Sequence, residues 1–162
     1  MNIYLAGPDV FRPDALAHAE AARRLVASHG HWALIPLDNE ATTAAEIYRA
    51  NLAQIAAADL VIANLNPFRG FEPDSGTVFE VGYAVAAGKP VLAFVDDDRP
   101  LADRLAGYLG CDLLHLGERL VDGDGMSVEN HGLPLNLMLG IPLRIVRGGL
   151  EQALQALAAD AA

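Results

Sequence analysis

Residues 59–65 read DLVIANL, an apolar run of strand length between Asp59 and Leu65. Apolar runs without polar alternation are typical of strands whose two faces are both covered, as they are in parallel sheets. The runs IYLA (3–6) and PVLAFV (90–95) have the same character. Together they predict the centre of a parallel sheet, and the segments between them should form its covering layers.

Helix-like segments separate these strands, and their ends carry a proline, a capping threonine or a terminating glycine. The alternation predicts an α/β fold: one domain over residues 1–162, with a doubly wound, flavodoxin-like sheet of five parallel strands and helices on both faces. The remaining predicted elements are helices over 13–30 (starting with Pro13), 44–58 (capped by Thr42 or Thr43), 76–87 (ended by Gly88), 101–109 and 150–161, strands over 31–37 and 143–146, and a long mobile loop over 117–132.

The composition limits the class of protein. Of the 162 residues, 52% are hydrophobic, so the chain can bury a core. Its 11 Lys and Arg residues against 21 Asp and Glu residues give a net charge of −10, which disfavours a nucleic-acid partner. Cys111 is the only cysteine, so no disulfide can form within the chain. No run approaches the length of about 18 apolar residues that spans a bilayer, and no basic leader precedes the first strand. We therefore expect a cytoplasmic protein without membrane contact.

In a parallel α/β sheet, ligands bind at the carboxyl ends of the strands. Glu80 follows the central strand and is the one charge in VFEVGYAVAA (78–87), a composition that predicts a helix buried on all sides. Two interpretations stay open from spacing alone. Thr77 and Glu80 match a capping box. Alternatively, Glu80 is a carboxylate at the edge of a pocket, held anionic by the helix N-terminus and able to act as a nucleophile.

Three more residues allow both a structural and a functional interpretation. Asp74 is either a turn residue in PDSG (73–76) or a carboxylate that accepts hydrogen bonds from sugar hydroxyls. Asn51 lies on the apolar stripe of its helix, where its amide either bonds a neighbouring loop or lines a pocket and contacts a base. Tyr4 is either a core residue or a phenol that hydrogen-bonds a carboxylate on the adjacent helix.

Other catalytic motifs are weak or missing. The turn AGPD (6–9) lacks the glycine pattern of dinucleotide-binding sites, and no P-loop, HExxH or GxSxG motif occurs. The five histidines are scattered without ligand spacing, and the acidic run over 96–98 has no EF-hand pattern. The sequence therefore predicts no metal site.

Taken together, these segments resemble the nucleoside 2-deoxyribosyltransferase family. The resemblance spans residues 1–140, and its most specific blocks are DSGTVFEVG (74–82) and the triplet Asn136-Leu137-Met138. The matching stretches are IYLAGP (3–8), Asn51, Ala58-Asp59, NLNPFRG (64–70), EPDSGTVFEVGYA (72–84) and GLPLNLML (132–139).

The resemblance implies a transfer of 2-deoxyribose between nucleobases that needs neither a metal nor an organic cofactor. Glu80 would attack C1′ of a 2′-deoxynucleoside and hold the sugar covalently until a second base displaces it with net retention. Tyr4 would position Glu80, and Asp74 would bind the sugar hydroxyls. Asn136, with Met138 beside it, would reach the sugar of a neighbouring subunit, which implies a homo-oligomer. The further substrate-binding residues are Gly7, Phe11, Asn51, Phe68, Arg69 and Gly76.

Asn51 departs from the pattern, because some relatives have an aspartate there that contacts the base and helps to protonate it. An amide can bond a base edge but cannot donate a proton as a carboxylic acid does. Asp74 or a bound water then remains as the general acid. The loop PFRG (67–70) resembles that of purine-accepting members, and Phe68 or Phe11 could stack on the base. We therefore expect a preference for purines.

Two other functions stay open. A 2′-deoxynucleoside 5′-monophosphate N-glycosidase would share the fold and the glutamate but end in hydrolysis. In the hydrolases that resemble this chain, a serine stands at the position of Asp74, where a carboxylate would repel the phosphate. A nucleotide-sensing module on the same scaffold would have no turnover at all.

Overall fold

The computed structural model describes residues 1–160 of the chain. Contacts between residues divide it into two compact units, one formed by 1–96 together with 144–160 and the other by 97–143. The first unit contains a five-stranded sheet, and the second contains a short hairpin. Within residues 1–160, no helix is both long and apolar enough to cross a membrane.

The elements follow the predicted alternation, and their ends lie within a few residues of the predicted ones for most elements. The helix over 101–109 has the predicted bounds, whereas Ala161, the predicted end of the last helix, lies outside the described residues. In chain order the elements are β1 Asn2–Ala6, α1 Ala15–Ser28, β2 Trp32–Leu34, α2 Ala44–Ala57, β3 Leu60–Asn64, α3 Ser75–Ala86, β4 Val91–Val95, α4 Leu101–Leu109, β5 Leu114–Leu116, β6 Arg119–Val121, α5 Leu137–Gly140, β7 Arg144–Arg147 and α6 Leu150–Asp160.

The sheet of the first unit is parallel throughout, with the strand order β2-β1-β3-β4-β7. The apolar run that contains β3 lies at its centre, where Val61 pairs with Tyr4 on one side and with Val91 on the other. Counted within the sheet, this is the 2-1-3-4-5 order of flavodoxin-like folds. The predicted fold class is therefore confirmed.

Helices cover both faces of this sheet. Val26 of α1 and Leu154 of α6 belong to one buried cluster with Ile3 and Ile62 of the sheet. Successive strand residues point to opposite faces, so Tyr4, next to Ile3, faces the layer formed by α2 and α3. This second layer carries the residues of the candidate site.

The strand β2 is shorter than predicted. The sequence predicts a strand over 31–37, but β2 ends at Leu34, and residues Pro36–Asp38 form a 3-10 turn. Pro36 has no N–H to donate to a sheet, so its presence limits the strand. A second 3-10 turn, Pro8–Phe11, follows β1 and delays the start of α1 to Ala15.

The prediction of a mobile loop over 117–132 is wrong in part. In the second unit, β6 pairs with β5 as an antiparallel hairpin, with Leu114 opposite Val121. Beyond the strand, the Asp122 carboxylate accepts hydrogen bonds from the backbone N–H groups of Asp124 and Met126. Asp and Gly at these positions form an ordered turn, although the same composition is also common in loops.

Candidate active site

The carboxylate of Glu80 lies on α3, and the start of this helix decides between its two interpretations. The N-cap is Asp74, whose Oδ2 accepts hydrogen bonds from the Thr77 backbone N–H at 2.8 Å and from the Thr77 hydroxyl at 2.9 Å. Thr77 is therefore inside the helix, and the capping-box interpretation of Thr77 and Glu80 is wrong. Glu80 remains available for contacts outside its own helix.

Two side chains from other elements donate hydrogen bonds to Glu80. The Tyr4 hydroxyl on β1 donates to Oε1 at 2.7 Å, and the Asn51 amide on α2 donates to the same oxygen at 3.2 Å. Among residues 1–160, the structure has no hydrogen-bond donor to Oε2 of Glu80. One carboxylate oxygen is thus fixed by the protein, and the other is left for a ligand.

Burial governs the protonation of this pair. Burial raises the pKa of the Glu80 carboxyl above its ordinary value, the hydrogen bonds from Tyr4 and Asn51 lower it, and the charge of Asp74 raises it. The pKa of Tyr4, whose side chain is fully buried, is raised by burial and by the charge and hydrogen bond of Glu80. Tyr4 therefore keeps its proton and remains a donor to Glu80 at neutral pH.

Glu80 opens onto a cleft of about 410 Å³, a volume in the range of small-molecule sites. The cleft lies at the carboxyl end of β1 and beside the N-terminal turn of α3. It brings together the predicted residues Gly7, Phe11, Asn51, Asp74, Gly76 and Glu80, and its other lining residues are Val10, Pro36, Leu37, Asn39, Ala41, Ile47 and Thr77.

The amide of Asn51 has one end on Glu80 and the other end unused. A carboxylate only accepts hydrogen bonds, so the Asn51 NH₂ group must face Glu80. Its Oδ1 atom is buried and has no hydrogen-bond partner within residues 1–160. A buried acceptor without a partner is costly, so a ligand N–H or O–H in the cleft would improve its hydrogen bonding.

Gly7 lines the cleft, and a larger residue would not fit at its position. A Cβ atom at Gly7 would lie 2.9 Å from Cβ of Asn64 and 3.0 Å from Oδ2 of Asp9. Asn64 donates to Asp9 at 3.0 Å and accepts from the side chain of Asn66 at 2.9 Å. This polar network connects the loop after β1 to the end of β3 and the loop that follows it, a role that sequence analysis missed although all three residues lie at or just after a strand end.

Phe11, Phe68 and Arg69 form a stack near the cleft. The rings of Phe11 and Phe68 are 5.3 Å apart and inclined by 19°, and the Arg69 guanidinium lies 4.7 Å from the Phe68 centroid. Phe11 lines the cleft, whereas Phe68 reaches it only through its contact with Phe11. Arg69 has a left-handed backbone with φ of 55°, which is uncommon for a residue other than glycine.

Asn136 and Met138 belong to the second unit. Asn136 caps α5, with its Oδ1 accepting from the backbone N–H of Met138 at 2.9 Å. Its NH₂ group donates to Glu129 at 2.6 Å. The Met138 side chain is exposed. Sequence analysis missed Glu129, because it is only one of several acids in the segment 117–132.

The prediction that α3 is buried on all sides is wrong. Thr77, Val81 and Ala84 are buried, but Phe79 is 51% exposed and Tyr83 is 36% exposed. Tyr48 of α2, which is 53% exposed, contacts the Phe79 ring at 6.0 Å between centroids. The helix therefore packs on the sheet through one face and presents aromatic rings on another.

The first unit is thus an α/β fold whose cleft has the size of a small-molecule site. In this cleft the Glu80 carboxylate is held by the Tyr4 hydroxyl and the Asn51 amide. No group of three or more His, Cys, Asp or Glu residues within residues 1–160 is arranged to hold a metal ion. The chain matches the family Nucleoside 2-deoxyribosyltransferase over residues 3–138. It therefore belongs to this family.

Solved structures and a curated protein are similar to this chain. The 2-desoxiribosyltransferase from Leishmania mexicana is 41% identical, with a TM-score of 0.80 over 98% of this chain and 97% of that one. A CMP N-glycosidase from Clostridium botulinum is 16% identical, with a TM-score of 0.55 over 99% of both chains, a likeness of fold alone. An uncharacterized protein of Schizosaccharomyces pombe is 28% identical over 84% of this chain and 74% of its own length.

Proposed function

We propose that this chain transfers 2-deoxyribose between nucleobases in two displacements at C1′. A Glu80 oxygen forms a bond to C1′ as the N-glycosidic bond breaks, which gives a covalent deoxyribosyl ester and a free base. The nitrogen of a second base then attacks C1′ and loses its proton to water, and Glu80 leaves as a carboxylate. Two inversions give net retention.

One observation carries this proposal: both protein hydrogen bonds to Glu80 end on the same oxygen. Tyr4 and Asn51 hold Oε1, so Oε2 can approach an electrophile without first losing a protein partner. The raised pKa of Glu80 makes its carboxylate a better nucleophile than an exposed one, while the two donors favour the ionised form. The similarity to the Leishmania mexicana enzyme at 41% identity supports the same activity.

Asp74 and Asn51 are proposed to hold the two halves of the substrate. The cap bonds of Asp74 both end on Oδ2, which leaves Oδ1 as an acceptor for sugar hydroxyls. The unpartnered Oδ1 of Asn51 would accept a hydrogen bond from the base. The departing base needs one proton, which neither the Asn51 amide nor a carboxylate that accepts from the sugar can give, so a bound water would provide it.

A preference for purines is proposed from the aromatic residues beside the cleft. Phe11 lines the cleft and is 55% exposed, so one ring face can meet a base. Phe68 stacks on the Phe11 ring, and the Arg69 guanidinium makes a cation–π contact with it. Large flat bases gain more from such stacking than small ones.

We further propose a homo-oligomer in which Asn136 and Met138 of one copy complete the site of a second copy. The exposed aromatic residues on α2 and α3, Tyr48, Phe79 and Tyr83, flank Glu80 and would be covered by that copy. Light scattering during gel filtration tests this: an assembly of at least two chains is expected. A protein that is strictly monomeric and fully active would contradict it.

The activity is tested by incubating 2′-deoxyinosine with excess adenine and separating the products by chromatography. We expect 2′-deoxyadenosine and hypoxanthine from the wild type and neither from Glu80→Ala. Glu118→Ala is a matched control, because Glu118 is exposed and has no side-chain hydrogen bond within the described chain; it should keep full activity. No turnover of any deoxynucleoside would favour a nucleotide-sensing module instead.

Hydrolysis of deoxynucleoside 5′-monophosphates is the second candidate, and the same assay with 2′-deoxyinosine 5′-monophosphate in place of 2′-deoxyinosine distinguishes it. Free deoxyribose or its phosphate without base exchange would favour the hydrolase. Asp74 argues against it, because a carboxylate beside Glu80 repels a phosphate dianion.

A further inference from the structure

In the second unit, both oxygens of the Glu129 carboxylate bind one short segment. Oε1 accepts the Asn136 side-chain N–H at 2.6 Å, and Oε2 accepts the Leu137 backbone N–H at 2.8 Å. Asn136 Oδ1 accepts the Met138 backbone N–H at 2.9 Å. The amide of Asn136 is therefore held at both of its ends.

This arrangement determines which atoms Asn136 can offer to a ligand. The carboxylate of Glu129 only accepts, so the NH₂ group of Asn136 must face it and the amide cannot flip. The amide has two N–H donors and two acceptor positions on its oxygen. Glu129 takes one donor and Met138 takes one acceptor position, which leaves one of each for a ligand.

We infer that Glu129 is a positioning residue, which fixes the edge of the Asn136 amide that meets a hydroxyl of the deoxyribose. This inference rests on the proposed role of Asn136 in the neighbouring subunit's site. Glu129 does not itself touch the substrate. An amide already fixed in its bound orientation loses less conformational freedom on binding than a free one. Without Glu129, only the cap bond from the Met138 backbone N–H holds the amide, which can then turn away from its bound orientation.

A double-mutant cycle tests the inference. Its variants are Glu129→Gln, Asn136→Ser, which removes the amide but retains an oxygen that can cap α5, and the combination of the two. The Glu129 carboxylate has two donors, the Asn136 NH₂ group and the Leu137 backbone N–H. Glutamine has the same size but places an NH₂ group opposite one of these donors, so Glu129→Gln should lose one of the two hydrogen bonds. Glu118→Ala serves as the control for loss of an acid in the same unit.

The expected result is specific to the sugar. Glu129→Gln should raise KM for the donor deoxynucleoside about tenfold, the scale of one hydrogen bond to a charged group, and leave KM for the acceptor base unchanged. It should have no further effect in the Asn136→Ser background, because its action passes through that amide. Partial unfolding would instead lower kcat and leave both KM values as they are.

Each other outcome decides against the inference. A Glu129→Gln variant with the kinetics of the wild type, or with an undiminished effect in the Asn136→Ser background, would overturn it while leaving base exchange established. A wild type without any base exchange would overturn the proposed function and this inference with it. The two failures are therefore distinguishable by the activity of the unmodified protein.

Discussion

The hydroxyl of Tyr4 donates a hydrogen bond of 2.7 Å to Oε1 of Glu80, although 76 positions separate the two residues in the chain. Tyr4 lies on an inner strand, and Glu80 lies one turn into the helix that covers that strand. This hydrogen bond connects β1 and α3 and joins a buried phenol to a partly buried carboxylate. This contact lowers the pKa of Glu80 and so opposes the burial that raises it.

Replacement of Tyr4 by phenylalanine should shift the pH dependence of activity. The Tyr4 hydrogen bond lowers the pKa of Glu80, so its loss raises that pKa further above the ordinary value. The nucleophile must be ionised, and the acid limb of kcat/KM should therefore move to higher pH. At neutral pH we expect kcat to fall about 10- to 100-fold, as one charge-assisted hydrogen bond is lost.

A pH profile of both proteins from pH 4 to pH 9 provides the measurement. Tyr4→Phe keeps the ring in the core, and its Tm reports any general damage. An unchanged acid limb with reduced kcat would mean that Tyr4 acts on something other than the ionisation of Glu80.

Replacement of Glu80 by glutamine should stabilise the folded protein while abolishing activity. A carboxyl whose folded pKa is raised stabilises the fold fully below its unfolded pKa and loses that stability as the pH rises through the folded value. Glutamine keeps an acceptor for Tyr4 and carries no charge. We expect a gain on the order of 1 kcal/mol at neutral pH, or about 2–4 °C in Tm.

Thermal unfolding at pH 4 and pH 7.5 measures this difference. The gain in Tm should be larger at the higher pH, where wild-type Glu80 is ionised. An equal or smaller gain at pH 7.5 would show that burial does not oppose the charge of Glu80 in the folded state.

The sheet could be predicted from the sequence because its central strands are uninterrupted apolar runs. The parallel pairing follows from the strand–helix alternation, and it matches the structure. β2 could not be delimited, since its apolar residues continue up to Pro36 and only the missing N–H of that residue limits the strand. The hairpin of β5 and β6 was missed because its strands have three residues each.

The site was only partly accessible to sequence analysis. Glu80 stood out as one charge in an apolar helix, and the resemblance pointed to Tyr4 and Asp74. Sequence spacing does not determine side-chain directions. It therefore could not show that Tyr4 and Asn51 bind the same oxygen of Glu80, or that Glu129 accepts a hydrogen bond from Asn136. The exposed rings of α3 were also missed, because a composition without charges does not show which face packs.

Asp74 caps the N-terminus of α3, and its charge raises the pKa of Glu80. Two substitutions separate these two effects. Asp74→Asn keeps a side-chain oxygen for the Thr77 N–H and removes the charge that raises the pKa of Glu80. The acid limb of kcat/KM should move to lower pH in this variant, with little change in Tm. Asp74→Ala should show the same shift and also lose about 1 kcal/mol of stability with the cap.

The same variants test the exclusion of 5′-phosphates. With the charge removed, kcat/KM for a deoxynucleoside 5′-monophosphate should rise relative to that of the free deoxynucleoside, because the repulsion is gone. Competition between the two substrates, followed by chromatography, measures this ratio. If Asp74→Asn left the ratio as in the wild type, repulsion by Asp74 could not be what selects a free 5′-hydroxyl.

Gly7 should be intolerant of even one additional carbon. A Cβ there would lie 2.9 Å from Cβ of Asn64, which is fixed by hydrogen bonds to Asp9 and Asn66, so the neighbour cannot easily move. We expect Gly7→Ala to lower the free energy of unfolding by about 1–3 kcal/mol, the range of overpacked sites, and to lower kcat/KM because Gly7 lines the cleft.

Gly107→Ala in α4 is the matched control, since a Cβ there meets nothing within 4 Å, and it should be neutral or stabilising by up to about 1 kcal/mol. Urea denaturation of both variants provides the comparison, and equal stabilities would mean that the loop after β1 shifts freely to admit the methyl group.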